Sequence, residues 1–191
     1  MKLKLKEKEV VMDGEAFERA LVRITHEILE RNQGVEDVVL IGIRTGGVYL
    51  AERIRMKIEQ IERVKISSGI IDITLYRDDF AIGLPQPLVG KTEIPFPLRD
   101  KKVILVDDVL YTGRTVRAGM DALIDFGRPK FIQLAVLIDR GLRELPIQAD
   151  YVGKKVVTGP QDEVTVLFRE IDGQDQVIIQ EKKRNHPSPS I

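Results

Sequence analysis

Apolar and polar positions along the chain switch repeatedly between a period of two and a period near 3.6, and the switches outline the elements. Residues 2–12 largely alternate charged and apolar, as an edge strand does. From Gly14 to Asn32 the period is helical: Phe17, Leu21, Ile24, Ile28 and Leu29 share one stripe, with Arg19, Arg23, His26 and Glu30 opposite. Asp13 is placed to cap this helix, and Asn32 with Gly34 to end it. Val38 to Ile43 is a continuous β-branched and aliphatic run, the mark of a strand buried on both faces, and a helix follows from Val48 to about Gln60. Val64–Ser68 and Ile70–Tyr76 read as strands. From Phe80 to Arg99 no period is sustained, and Pro85, Pro87, Pro95 and Pro97 make a long loop. Val103–Val106 is a second buried strand, Thr115–Asp125 a helix with Val116, Met120 and Leu123 inward, and Phe131–Ile138 a third such strand. Tyr151-Val152 with Lys154–Thr158 suggests a short strand, and Glu163–Glu170 with Gln176–Gln180 a hairpin across Asp172-Gly173. Strands alternating with helices predict an α/β fold around a central, mostly parallel sheet flanked by helices.

Composition narrows the chemistry more than the fold. Thirty basic and thirty acidic side chains cancel, so no global field draws the chain to nucleic acid or membrane, although a local basic patch is compatible with this balance. There is no cysteine and only His26 and His186 carry imidazole, which removes thiolate chemistry and makes a structural zinc site very improbable. Catalysis must rest on carboxylates, arginine, lysine and backbone. The first ten residues lack an apolar targeting core and no long apolar run occurs, so a soluble, cytoplasmic protein is expected. Residues 1–181 are expected to form one domain, and 182–191 a disordered tail in which His186 has no role.

Three strand ends carry candidate chemistry. After Val103–Val106 come Asp107 and Asp108, then Val109, Leu110, Tyr111 and the turn Thr112-Gly113-Arg114-Thr115 that opens a helix. Successive backbone N–H groups, two hydroxyls and a guanidinium at a helix start favour a phosphate. Two acids beside a phosphate cradle need a purpose, either sugar hydroxyls or a Mg²⁺ carried by the ligand. Arg44-Thr45-Gly46-Gly47 is a second polar turn at a helix start, with Arg44 as a bidentate donor and the glycines admitting a close ligand. Asp139-Arg140-Gly141 ends the third run at the same edge, where open α/β sheets bind ligands. Two anion turns suggest a ligand with phosphates at both ends.

Val103 to Thr115 resembles the phosphoribosyl diphosphate (PRPP) fingerprint of type I phosphoribosyltransferases. A wider likeness runs from His26-Glu-Ile-Leu-Glu-Arg-Asn through Asp72-Ile-Thr-Leu-Tyr-Arg-Asp-Asp and the Asp107 to Leu123 segment to Arg143-Glu-Leu-Pro-Ile and Ala149-Asp-Tyr-Val-Gly-Lys. Together these segments are similar to the bacterial pyrimidine-operon regulators, bifunctional RNA-binding attenuation proteins and uracil phosphoribosyltransferases. The resemblance implies the type I phosphoribosyltransferase fold with a small hood and a flexible lid loop, about residues 77–99. It implies Thr112–Thr115 on the 5′-phosphate, Asp107 and Asp108 on the ribose, and Arg44 to Gly47 on the pyrophosphate. Mg²⁺ would be held mostly through PRPP and water, with Asp107 and Asp108 nearby. Asp139 and Arg140 would face base and pyrophosphate, and Tyr76 and Arg77 would belong to the lid.

For RNA, the resemblance implies a basic, dimer-spanning face carrying Arg23, His26, Arg31, Arg143 and Lys154, which binds the leader mRNA hairpin of a pyrimidine operon under control of UMP or UTP. A homodimer or homotetramer is implied. The chain departs from the family pattern in four places: Gly46 replaces an arginine that commonly follows the threonine, Leu142 a histidine, Gln148 a basic residue, and Lys155 to Gly159 an Asn-Ile-Pro-Thr-Ser segment. Two other readings stay open, a salvage enzyme for another base without an RNA role, and a catalytically silent nucleotide sensor.

Overall fold

The computed structural model describes residues 6–76 and 90–181. Its element order is β1 (Lys6–Met12), α1 (Gly14–Asn32), β2 (Val38–Ile43), α2 (Gly46–Glu62), β3 (Ser67–Ile71), β4 (Lys102–Leu110), α3 (Arg114–Asp125), β5 (Phe131–Asp139), β6 (Tyr151–Lys155), β7 (Asp162–Leu167), α4 (Arg169–Asp172) and β8 (Gln176–Glu181). Five strands form a sheet of order β3-β2-β4-β5-β6, every pair parallel. The remaining three, β1-β8-β7, make a small antiparallel sheet, the expected hood.

The parallel strands read as unbroken apolar runs because both faces are covered. Val38, Leu40, Ile104, Val106, Ala135 and Leu137 pack with α1, α2 and the hood. The alternate residues Val39, Ile41, Ile43, Val103, Leu105, Leu134 and Val136 pack with α3. From β2 the chain steps to β3 on one side, then returns to β4 on the other and continues outward. The strand order therefore reverses between β2 and β4, and a crevice opens beyond their carboxyl ends.

Helix α1 follows its sequence pattern closely. Asp13 accepts the Ala16 N–H at 2.8 Å, and all five predicted stripe residues are buried. At the other end Gln33 takes the left-handed conformation and Gly34 N–H reaches Leu29 O at 2.9 Å, closing the helix on its last free carbonyls.

Three local expectations are corrected. Helix α2 runs to Glu62 and is closed by left-handed Arg63, so Val64 lies outside any strand at 51% exposure. Strand β3 stops at Ile71 because Asp72 takes the Thr74 N–H at 2.8 Å, and Thr74–Tyr76 form a 3-10 turn. The Asp172-Gly173 connection holds the helical turn α4, where Asp172 accepts the Phe168 N–H at 2.8 Å. The expected lid falls partly outside the described residues, at 77–89 with Arg77, as does the tail beyond Glu181. Its remainder is tied down: Glu93 exchanges both backbone hydrogen bonds with Ile70 at 2.8 Å, and Leu98 is buried. Among the described residues no helix is long and apolar enough to cross a membrane.

Candidate active site

Helices α2 and α3 start without a side-chain cap, on Thr45 and on left-handed Gly113 respectively, whereas α1 is capped by Asp13. Both uncapped ends follow strands that flank the crevice, β2 and β4, so their amides and dipoles converge there. Between them lie two adjoining cavities. One, of about 370 Å³, is lined by Arg44, Thr45, Gly46, Asp72, Thr74, Asp107 and Asp108. The other, of about 300 Å³, is lined by Val109 to Val116 and Glu144. Val109 and Thr115 belong to both, so one ligand can span them.

Strand β4 is longer than the predicted Val103–Val106 and carries both acids within it. Asp107 is 5% exposed, and its Oδ1 accepts the Asp108 N–H at 3.0 Å; Asp108 Oδ1 in turn accepts the Val109 N–H at 3.0 Å. These bonds fix both carboxylates to the strand end. Burial pushes the Asp108 carboxyl above the usual carboxylate range, despite the opposing bonds from Asp107 and from the backbone.

The glycines of the first turn answer to the protein before they answer to any ligand. A Cβ on Gly47 would stand 2.2 Å from Val106 O, so this glycine lets α2 seat against β4. A Cβ on Gly46 would stand 2.4 Å from Asp108 Oδ2 and 2.5 Å from its Cγ. The Asp108 carboxylate therefore occupies the space that a side chain at position 46 needs. The Arg44–Thr45 peptide is cis.

Asp72 belongs to this cavity and sequence reading missed it. Its signal was available: like Asp107 and Asp139, it stands at the end of a parallel strand. Burial pushes its carboxyl up, but the Thr74 and Gly90 N–H bonds and the Arg44 charge together outweigh this and hold it below the usual range. Arg44 sits 3.8 Å from Asp72 and donates to Lys91 O at 2.9 Å.

The second cavity is walled by the segment that follows β5. Glu144 and Leu145 N–H groups both bond to Thr112 O, at 3.0 and 3.1 Å, and Arg114 pairs with Glu144 at 2.6 Å. Behind the loop, Arg143 donates to Ile147 O, Leu110 O, Tyr111 O and Gly141 O and pairs with Asp139 at 2.6 Å. Arg143 thus braces the Tyr111–Thr112 loop and is half-buried behind it. Asp139 is its counter-ion. Arg140 is 7% exposed, bonds Thr158 Oγ1, Gly159 O and Asp162 O, and lies 4.0 Å over the Tyr111 ring. It fastens the strand end to the approach to β7 and lines neither cavity. Tyr76 likewise points elsewhere, donating its hydroxyl to Asp125 at 2.5 Å.

The remaining basic residues gather at α1 and β6. Arg23 pairs with Glu27 at 2.8 Å and donates to Val152 O and Gly153 O. His26 is exposed, its Nδ1 2.8 Å from Val22 O. Arg31 pairs with Asp150 at 2.9 Å and covers the Tyr151 ring, and exposed Lys154 donates to Val11 O at 2.7 Å.

The phosphoribosyl transferase domain model matches residues 9–169. Among curated proteins, the bifunctional protein PyrR of Clostridioides difficile is 60% identical over 175 residues, covering 92% of this chain and 99% of that protein. The bifunctional protein PyrR of Bacillus subtilis is 55% identical over 181 residues, covering 94% and 100%. Among solved structures, a hypoxanthine phosphoribosyltransferase from Staphylococcus aureus superposes with a TM-score of 0.66 at 22% identity, with 93% of each chain covered. That of Trypanosoma cruzi gives 0.69 at 14% identity, covering 93% of this chain and 98% of the other, which speaks to fold alone. Two uncapped helix ends, an acidic pair between them and these relatives agree: the chain belongs to the phosphoribosyltransferase family and, within it, to the bifunctional PyrR proteins.

Proposed function

We propose that the chain transfers the phosphoribosyl group of PRPP to uracil, giving UMP and pyrophosphate, and that it regulates a pyrimidine operon by binding the leader hairpin of its mRNA under control of uridine nucleotides. The observation that carries the catalytic half is the pair of adjoining cavities at two uncapped helix N-termini, with Asp107 and Asp108 between them. The 5′-phosphate would lie at Thr112 to Thr115, the ribose hydroxyls at the acids, and the pyrophosphate at Arg44, Thr45 and Gly46. Uracil N1 then forms a bond to ribose C1 as the C1–O bond to pyrophosphate breaks, and the N1 proton passes to the departing pyrophosphate or to water. Positive charge builds on the sugar in the transition state, and the Asp107 and Asp108 carboxylates, held at the strand end by backbone N–H bonds, would stabilise that charge with little reorganisation.

The donor set fits Mg²⁺. The first cavity carries three carboxylates, Asp72, Asp107 and Asp108, against one cation, Arg44. So acidic a site accepts a polyanion only with a cation in company. Among the described residues no group of three or more acidic or imidazole side chains is arranged to hold a metal by itself. The ion would thus arrive on the oxygens of PRPP, supplying charge neutralisation, with Asp107 and Asp108 meeting it directly or through water.

For RNA, the exposed face of α1 and β6 offers Arg23, His26, Arg31 and Lys154, with Glu27 and Asp150 as the counter-ions of Arg23 and Arg31 that RNA phosphates would replace. Arg143 contributes to this function through the loop it braces. A homodimer or homotetramer is expected and is measurable by light scattering. Steady-state assays with PRPP, Mg²⁺ and each nucleobase test the enzyme reading: uracil should be clearly preferred, and preference for another base would sink it.

A further inference from the structure

The first cavity holds a carboxylate that the transfer reaction does not use. Asp72 Oδ1 takes the Thr74 N–H at 2.8 Å and Oδ2 the Gly90 N–H at 3.0 Å, while its own N–H reaches Thr92 Oγ1 at 3.1 Å. It thereby joins two segments distant in sequence, 71–74 and 90–92. Arg44 is tied to both. Its backbone N–H bonds Ile71 O at 3.0 Å, its Nη2 bonds Lys91 O at 2.9 Å, and its Nε lies 3.8 Å from Asp72 Oδ2.

Gly90 closes the arrangement from the other side. A Cβ there would stand 2.3 Å from Asp72 Oδ2, 2.8 Å from Arg44 Cδ and 3.0 Å from Arg44 Nε. Asp72, Gly90 and the stem of Arg44 are therefore packed at contact, with no room for a methyl group. A long arginine side chain that is 36% exposed would otherwise sample several rotamers. With Gly46 in the turn, Arg44 is also the only cation that lines this cavity among the described residues.

We infer that Asp72 is the positioning residue for Arg44. It fixes the 90–91 segment whose carbonyl receives the guanidinium and supplies the counter-charge at its base. Arg44 is thereby held in one orientation toward the pyrophosphate of PRPP, and the unused donors of its guanidinium stay available to the ligand. This rests on the assignment of Arg44 to pyrophosphate made above.

Asp72→Asn is the discriminating variant. The amide keeps the shape of the carboxylate but sets an N–H₂ against either the Thr74 or the Gly90 N–H and removes the charge beside Arg44. In full-length protein the KM for PRPP, and that for pyrophosphate in the reverse direction, should rise about tenfold, the loss expected when a ligand-holding group is misplaced by a fraction of an ångström. UMP carries no pyrophosphate, so its dissociation constant should stay within about twofold, a change small on the scale of one lost hydrogen bond. In an Arg44→Ala background Asp72→Asn should add nothing further. Gly90→Ala, which displaces Arg44 from the opposite side, should reproduce the selective rise in KM. If the Asp72→Asn and Arg44→Ala effects multiply, or if UMP and pyrophosphate weaken equally in both Asp72→Asn and Gly90→Ala, the positioning role is wrong. If Arg44→Ala itself leaves pyrophosphate binding unchanged, it is the assignment of Arg44 that fails.

Discussion

The carboxylate of Asp108 fills the space above Gly46: Oδ2 lies 2.4 Å from where a Cβ would stand. Asp108 and the Arg44–Gly47 turn are therefore fitted to each other, and the arginine that the family pattern places after the threonine has no room while Asp108 keeps its rotamer. Gly46→Arg should thus lower kcat/KM for PRPP, by about tenfold or more, because the added cation arrives at the cost of a displaced Asp108. Steady-state kinetics on this variant and on Gly46→Ala check it; a faster Gly46→Arg enzyme would contradict it.

Asp108 also carries a stability consequence. Its folded-state pKa is raised by burial above the value of 3.8 found in an unfolded chain, so the native state holds this proton more tightly than the unfolded one. Its contribution to stability is favourable below that unfolded value and is lost as pH rises through the folded pKa. Above that unfolded value the half-buried carboxyl costs stability, increasingly as it is forced to ionise in the folded state. Asp108→Asn should therefore raise the melting temperature at pH 7, with the gain shrinking as the pH is lowered toward 4. Thermal melts across that range report it, while the same variant loses turnover.

Arg53 holds the hood to α2. It is 4% exposed, bonds Glu170 through Nε at 2.9 Å and Asp175 through Nη2 at 2.7 Å, and lies within 6 Å of the rings of Phe17 (5.3 Å) and Phe168 (5.8 Å). Both acids are held below the usual carboxylate range: at Glu170 the Arg53 bond is the main cause, whereas at Asp175 burial pushes upward and the Arg53 bond leads the opposing effects. Removing the guanidinium takes the main partner from Glu170, leaves Asp175 only its Arg169 contacts, and opens a gap between the rings. Arg53→Ala should cost about 3 kcal/mol in urea unfolding, the lower end for breaking a buried pair since both acids are partly exposed.

Arg143 and Arg23 should behave differently, although both are basic residues of the expected RNA face. Arg143 ties Leu110 O and Tyr111 O at the root of the loop proposed to hold the 5′-phosphate, so Arg143→Ala should weaken UMP and PRPP binding as well as RNA binding. Arg23, exposed on the outer face of α1 and bonded to carbonyls of β6, lines neither cavity, so Arg23→Ala should weaken RNA binding and its salt dependence while sparing UMP. Parallel UMP titrations and RNA binding at two salt concentrations separate the cases.

Much of this was legible in the residues. The apolar stripe of α1, the Asp13 cap, the unbroken runs of β2, β4 and β5 and the turns at Arg44 and Thr112 all act through local periodicity or local hydrogen bonding, and each appears where expected, except that β4 runs on past Val106 to Leu110. What escaped depends on chain segments far apart. Asp72 acquires its place only when Gly90 folds back on it, and Arg143 finds its carbonyls only once β4 and β5 lie side by side. Charge alone cannot distinguish a guanidinium that braces a loop from one offered to RNA. Strand ends failed where a side chain intercepted the backbone, as Asp72 and Asp172 did.

On the proposed reading, one phosphoribosyl site serves catalysis and also governs RNA binding on another face. Asp107→Asn with Asp108→Asn should abolish UMP synthesis and leave hairpin binding largely intact. The most direct measurement is the affinity of the full chain for a pyrimidine-operon leader hairpin, titrated with and without UMP. Binding that tightens with UMP is the expected result, and absent or UMP-insensitive binding would contradict the account.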